Sequence, residues 1–137
     1  MPARSSELIL VDTGIWVDFL RGGKPTVKKT LSKLLETDLA TTTQVVKAEL
    51  LRGARSNADF ERLQSNLNAL HQLDITNKVW DYIYQLAYEL RKKGFNIPLT
   101  DTVIAAVSCF YDVTLLHDDN HYKMAGSVVD LKQQRLR

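Results

Sequence analysis

Several common features are scarce in this 137-residue sequence, and each shortage excludes something. One cysteine, Cys109, rules out an internal disulfide, and its apolar surroundings predict a buried, inert thiol. No apolar run exceeds the five residues Val103 to Val107, far short of the ~20 that a membrane-spanning helix needs. Residues 1 to 7 carry one basic residue, and Leu8 to Val11 behind them is too short for a secretory-signal core, so a cytoplasmic protein is expected. No repeat, low-complexity tract or linker divides the chain, and it has neither a glycine-rich phosphate loop nor an aromatic RNA-stacking motif. What remains is ordinary globular material, 45% apolar and 25% charged, in a length that suits one domain spanning 1–137. The net charge of +2 points to no partner by itself.

Strand and helix signals alternate. Leu8–Val11 reads as a strand buried on both faces, followed by a helix from Thr13 to Arg21 that Gly22–Gly23 stops. Pro25 opens a second helix to Glu36, and Leu39–Thr41 makes a brief strand. Thr42 or Thr43 can cap a helix over Gln44–Arg52, and Ala58–Leu70 is a further amphipathic segment. Thr76 caps the longest helix, Asn77–Lys93, which Gly94 ends. Thr100 can cap an almost wholly apolar helix from Asp101 to Tyr111. Val113–Leu116 then reads as a second buried strand and Ser127–Val129 as a last one. This alternation predicts an α/β fold with a mostly parallel central sheet flanked by helices.

In a parallel sheet the functional crevice lies beyond the carboxyl ends of the strands. Both strong strands end in acid: Asp12 follows Val11, and Asp118–Asp119 follow His117. Glu49 shares the inward side of its helix with Val45 and Val46, and Asp101 sits in the first turn of the buried helix. Taken singly, Asp12 could be a helix cap, Asp101 a complement to the helix dipole and Asp119 a turn residue. Glu49 resists such a reading, because a mid-helix acid among apolar neighbours needs a partner. Together, several carboxylates without matching cations repel one another unless a divalent cation neutralises them. Their hard oxygens suit Mg²⁺ or Mn²⁺, and such sites serve phosphodiester hydrolysis.

The segments LILVDTGIWVDFLRGG, TTTQVVKAELLRGAR and IPLTDTVIAAVSCFYDVTLLHDDNHYKMA resemble the successive motif blocks of the PIN domain, in particular VapC-type toxins of toxin–antitoxin pairs. The likeness covers nearly the whole chain. It implies a PIN-like α/β/α sandwich and a metal-dependent endoribonuclease, usually a homodimer, silenced by a cognate antitoxin. The family's four acids fall on Asp12, Glu49, Asp101 and Asp119, and its small hydroxyl residue after the first acid on Thr13. These acids are implied to be both catalytic and ligands of Mg²⁺ (or Mn²⁺). Asp119 is favoured over Asp118 by the strand-end spacing and the position of Tyr122. The chain departs from the family in two places: His117 stands where Thr or Ser is frequent, and His121 where a further acid is frequent.

An RNA substrate, whether tRNA, rRNA or mRNA, needs positive charge around the acidic centre. Arg21, Lys24, Lys28, Lys29 and Lys33 form an acid-free run; Arg52 and Arg55 follow Glu49, Arg91–Lys93 close the long helix, and Lys132, Arg135 and Arg137 mark the tail. Most of these solvate exposed faces; Arg21 and Arg52, beside the acidic blocks, are the candidates for RNA phosphate, and Arg52 equally for an acidic group of an antitoxin. Setting aside the four site acids leaves 12 of the 16 acidic residues against 18 basic ones, so an acidic centre sits in a basic exterior. Two enzyme alternatives fit less well. The segment His117–His121 lacks the Glu of a zinc-protease HExxH motif, and a phosphoreceiver domain needs paired acids after the first strand. A non-catalytic PIN-like RNA-binding or scaffold domain is the alternative from another class; loss of one or more acids would mark it, and all four are present.

Overall fold

The structure, a computed structural model, describes residues 7–137. Its elements run β1 (Ile9–Val11), α1 (Thr13–Leu20), α2 (Pro25–Glu36), β2 (Ala40–Thr42), α3 (Gln44–Leu51), α4 (Asn57–Asn68), β3 (His71–Gln72), α5 (Asn77–Lys92), α6 (Leu99–Tyr111), β4 (Thr114–His117), α7 (His121–Gly126) and β5 (Gln133–Arg135). The sheet order is β3-β2-β1-β4-β5, every pairing is parallel, and helices flank the sheet in an α/β/α arrangement. The chain therefore winds outward from β1 to β3, then crosses back to lay β4 on the other side of β1. That reversal opens a crevice beyond the carboxyl ends of β1 and β4.

The aliphatic run of β1 forms a strand because both faces are covered: Leu10 and Val11 are wholly buried, as are Leu115 and Leu116 beside them in β4. Ile9, Leu10 and Val11 pair with Thr114, Leu115 and Leu116, so both strands end at the same level. The apolar α6 buries Thr102 through Ser108 without a break. It packs on α5, α7, α3 and β4. Each fully buried Val, Leu or Ile here stabilises the fold by roughly 1.5–3 kcal/mol. Residues of α5 that recur at helical spacing, Val79, Ile83, Leu86 and Leu90, meet α6, while Gly94, at φ +84°, turns the chain out of the helix into a conformation that side chains disfavour.

Four local expectations need correction. Ser127–Val129 is not a strand: the amides of Val128 and Val129 both donate to the Ala125 carbonyl, so this stretch winds off the end of α7. The last strand is Gln133–Arg135, an edge strand with both glutamines exposed, which therefore carries no apolar signal. The turn-like Asp119-Asn120 leads into α7, and α6 starts at Leu99 with Pro98, not Thr100, at its cap position. Thr43 occupies the N-cap of α3, yet its hydroxyl donates across to the Leu73 carbonyl at 2.6 Å. Thr76 does cap α5, accepting from the Val79 amide. Cys109 is half-buried rather than sealed in the core, and burial pushes its thiol pKa up.

Candidate active site

Four elements deliver the four acids. Asp12 directly follows β1, Asp119 lies two residues past β4, Asp101 occupies the first turn of α6, and Glu49 stands in the last turn of α3, which packs against both α1 and α6. Asp12 is 7% exposed, and burial pushes its carboxyl pKa up to about 6. The Tyr122 hydroxyl opposes that rise by donating to Asp12 Oδ1 at 2.7 Å, while the charges of Asp101 and Asp119 reinforce it. Asp101 is raised too, first by burial; its contact with His121 works against the shift, and Asp119 and Glu49 add to it. The acids therefore feel one another's fields. Among the described residues, no lysine or arginine pairs with Asp12, Asp101 or Asp119.

A hydrogen-bonded chain links the Asp119 backbone to the Asp12 carboxylate. The amide of Asp119 donates to His117 Nδ1 at 3.1 Å, which leaves the ring proton on Nε2, and Nε2–H donates to Gln133 Oε1 at 2.8 Å. Gln133 in turn donates to the Tyr122 carbonyl at 3.1 Å, and Tyr122 donates to Asp12. Burial lowers the His117 pKa and raises that of the Tyr122 phenol far out of reach, so both stay neutral. On the other side Thr13 Oγ1 donates to Glu49 Oε1 at 2.7 Å. His121 Nδ1 lies 2.7 Å from Asp101 Oδ2 and 3.1 Å from Asp119 Oδ1. The latter oxygen also accepts from the His121 amide at 2.9 Å.

Two hollows adjoin the acids, and a third lies apart from them. Asp12 and Asp119 line a cleft of about 230 Å³ together with Asp18, Lys24 and Asp118. Glu49 lines a polar groove of about 860 Å³ along which Arg21, Arg55 and Arg62 are set. Arg52, at the exposed end of α3, is absent from that lining. An apolar groove of about 400 Å³ lies among α1, α2 and α4, lined by Trp16, Leu34, Leu63 and Leu67. Asp118 stands apart from its neighbour: it pairs with Arg135 at 2.9 Å and Lys24 at 3.3 Å, and these cations, Arg135 foremost, hold its carboxyl below the usual range.

Sequence reasoning missed Gln133, because it lies on the unseen edge strand, and gave Tyr122 and His117 no contact. Donor chemistry fits a divalent cation. Asp101, Asp119 and His121 bring ligand atoms within 4.8 Å of one another, and the buried, cation-free Asp12 has a pKa that a positive charge would bring down.

The PIN domain family matches residues 9–126. No curated protein sequence matches the chain. Solved structures do. VapBC2 from Rickettsia felis, bound to a DNA fragment from their promoter, is 23% identical with a TM-score of 0.77, covering 95% of this chain and 99% of that one. DNA-bound VapBC from Salmonella typhimurium is 17% identical with a TM-score of 0.74, covering 93% and 97%. VapC20 from Mycobacterium tuberculosis, described as a Sarcin-Ricin loop cleaving toxin, is 16% identical with a TM-score of 0.64, covering 86% and 95%.

Proposed function

The chain belongs to the PIN domain family, and from that premise we propose that it is a metal-dependent endoribonuclease, the VapC-type toxin of a toxin–antitoxin pair. The observation that supports this reading is that Asp101 and Asp119, with His121, bring ligand atoms within 4.8 Å of one another, with Asp12 and Glu49 near enough to feel or add to their charge and, among the described residues, no lysine or arginine paired with Asp12, Asp101 or Asp119. Asp12, Asp101 and Asp119 would hold Mg²⁺ or Mn²⁺, with Glu49 as a further ligand or as the group that orients the attacking water. When bound, such an ion supplies charge stabilisation to the phosphate and lowers the pKa of a water.

The chain's own groups do the rest. Tyr122 fixes Asp12 by its hydroxyl, and the His117–Gln133 link ties the Asp119 backbone to the same helix. Thr13 turns the Glu49 carboxylate and leaves its second oxygen free to accept a proton from water. Arg21 and Arg55 line a groove leading from Glu49 and offer positive charge to RNA phosphates, while Arg62 in the same groove is paired with Asp59 at 2.9 Å. Of the proposed contact residues, Arg21 has the support of lining this groove, Thr13 acts through Glu49, and Arg52 lies outside the lining.

Two partners follow. An antitoxin segment suits the apolar groove among α1, α2 and α4, because Leu20 and Leu35, which line it, are 55% and 40% exposed. A second copy suits α5, whose outer face carries Asp81, Tyr84, Tyr88 and Arg91 at three-four-three spacing. The two tyrosines are 63% and 64% exposed. Antiparallel pairing about position 86 sets Tyr84 against Tyr88 and Asp81 against Arg91, a self-complementary seam for a homodimer. No helix among the described residues is long and apolar enough to cross a membrane.

The test is cleavage of total RNA by the purified protein in Mg²⁺ or Mn²⁺, against EDTA and Asp12→Asn. Cleavage that stops in both controls supports the reading. Cleavage that survives both overturns it, and RNA binding without cleavage favours the non-catalytic alternative.

A further inference from the structure

We propose that His121 is itself a metal ligand, and that its imidazole makes the site prefer a first-row transition ion such as Mn²⁺ over Mg²⁺; this rests on the metal-dependent reading above. Adjacent ligands of an octahedral ion with bonds of about 2.1 Å stand about 3 Å apart. His121 Nδ1 hydrogen-bonds to Asp101 Oδ2 at 2.7 Å and stands 3.1 Å from Asp119 Oδ1, so an ion that displaces the shared proton meets three donors at the spacing of a coordination shell. The arrangement is held by the backbone. Asp119 Oδ1 accepts from the His121 amide, which locks the carboxylate and the ring into one turn at the start of α7, and the Asp119 amide is anchored on His117.

Ligand type decides which ion such a shell takes. Mg²⁺ favours oxygen and gives up its waters reluctantly, whereas imidazole nitrogen binds transition ions along a series that rises from Mn²⁺. An acid at position 121 would complete an all-oxygen shell. His121 replaces an anionic oxygen by a neutral nitrogen, which lowers the charge offered to Mg²⁺ and adds a donor that Mn²⁺ accepts more readily. His117 cannot be the source of this nitrogen, since its Nδ1 accepts from Asp119 and its Nε2 donates to Gln133.

The experiment titrates the metal-free full chain with Mn²⁺ and, separately, with Mg²⁺ by calorimetry, for wild type, His121→Ala and His121→Asp. Pulsed EPR of the Mn²⁺ complexes reads directly coordinated nitrogen, and far-UV circular dichroism confirms folding. The expected result is a fall on the order of tenfold in the ratio of Mn²⁺ to Mg²⁺ affinity in both variants, with Mg²⁺ binding kept or improved in His121→Asp. Nitrogen modulation should be present in wild type and lost in the variants; that spectrum reads wild type even if a variant fails to fold. An unchanged ratio, or a wild-type spectrum without nitrogen coupling, overturns the role of His121 alone. Tighter binding of both ions by His121→Ala does so as well, since it marks the ring as a counter-ion that metal must displace. Wild type that binds neither ion overturns the metal-dependent reading itself.

Discussion

Asp119 and Asp118 are adjacent in sequence and belong to opposite electrostatic regions. In the cleft, Asp119 faces Asp101, Asp12 and His121; burial and mutual repulsion raise the carboxyl pKa of Asp12 and Asp101. On the rim, one residue away, Asp118 is clamped between Arg135 and Lys24 and its pKa is lowered. Paired acids of the rim kind contribute modestly to stability. Acids whose pKa is raised, as those of Asp12 and Asp101 are, cost stability in the metal-free chain, which is why the cleft, and not the count of acidic residues, is the proposed site.

The sharpest separation of the two regions is activity. Asp12→Asn should lower RNA cleavage by at least about a hundredfold, measured in single turnover, whereas Asp118→Asn should stay within a few-fold. Equal losses would break the comparison. Next in size is stability. The Asp12 pKa rises from the usual 3.8 to about 6 on folding. Stability from this group is therefore full below pH 3.8 and is lost as the pH climbs through 6, because the unfolded chain releases its proton first. The shift corresponds to about 3 kcal/mol at most. In EDTA, urea melts should show Asp12→Asn more stable than wild type at pH 7 and the difference closing near pH 4.

Smaller effects refine the picture. Tyr122→Phe leaves the Asp12 carboxylate without its donor and should cost about 1–3 kcal/mol at pH 7, less at pH 5, where Asp12 holds its own proton. Asp118→Asn should cost under about 1 kcal/mol, an effect that salt diminishes. Its sign with pH is opposite to that of Asp12: a lowered pKa contributes stability above the unfolded value and loses it on acidification. A larger cost for Asp118→Asn than for Tyr122→Phe would mean that the rim, and not the cleft, organises this edge of the sheet.

Much of the fold was legible because its signals are local. The runs of β1 and β4, the periodic face of α5 and the unbroken burial of α6 follow from apolar spacing alone. The two-residue β3 and the polar β5 were not legible, since an exposed edge strand shows no alternation and is defined by its neighbour's hydrogen bonds. The same holds for α7, whose opening Asp119-Asn120 looks like a turn until Tyr122 finds its place in the core.

By itself the sequence determined which acids stand at strand ends and first turns, because strand length and helix phase are set within a few residues. The tertiary structure decided which side chains those acids meet. Tyr122 reaches Asp12 across 110 residues of chain, Glu49 meets Thr13 across 36, and Gln133 links His117 to Tyr122 from a strand with no sequence signature. Such contacts arise only when the parallel sheet brings the ends of β1, β4 and β5 to one edge. Burial there is a property of the assembled edge, and burial is the largest cause of the raised pKa of Asp12.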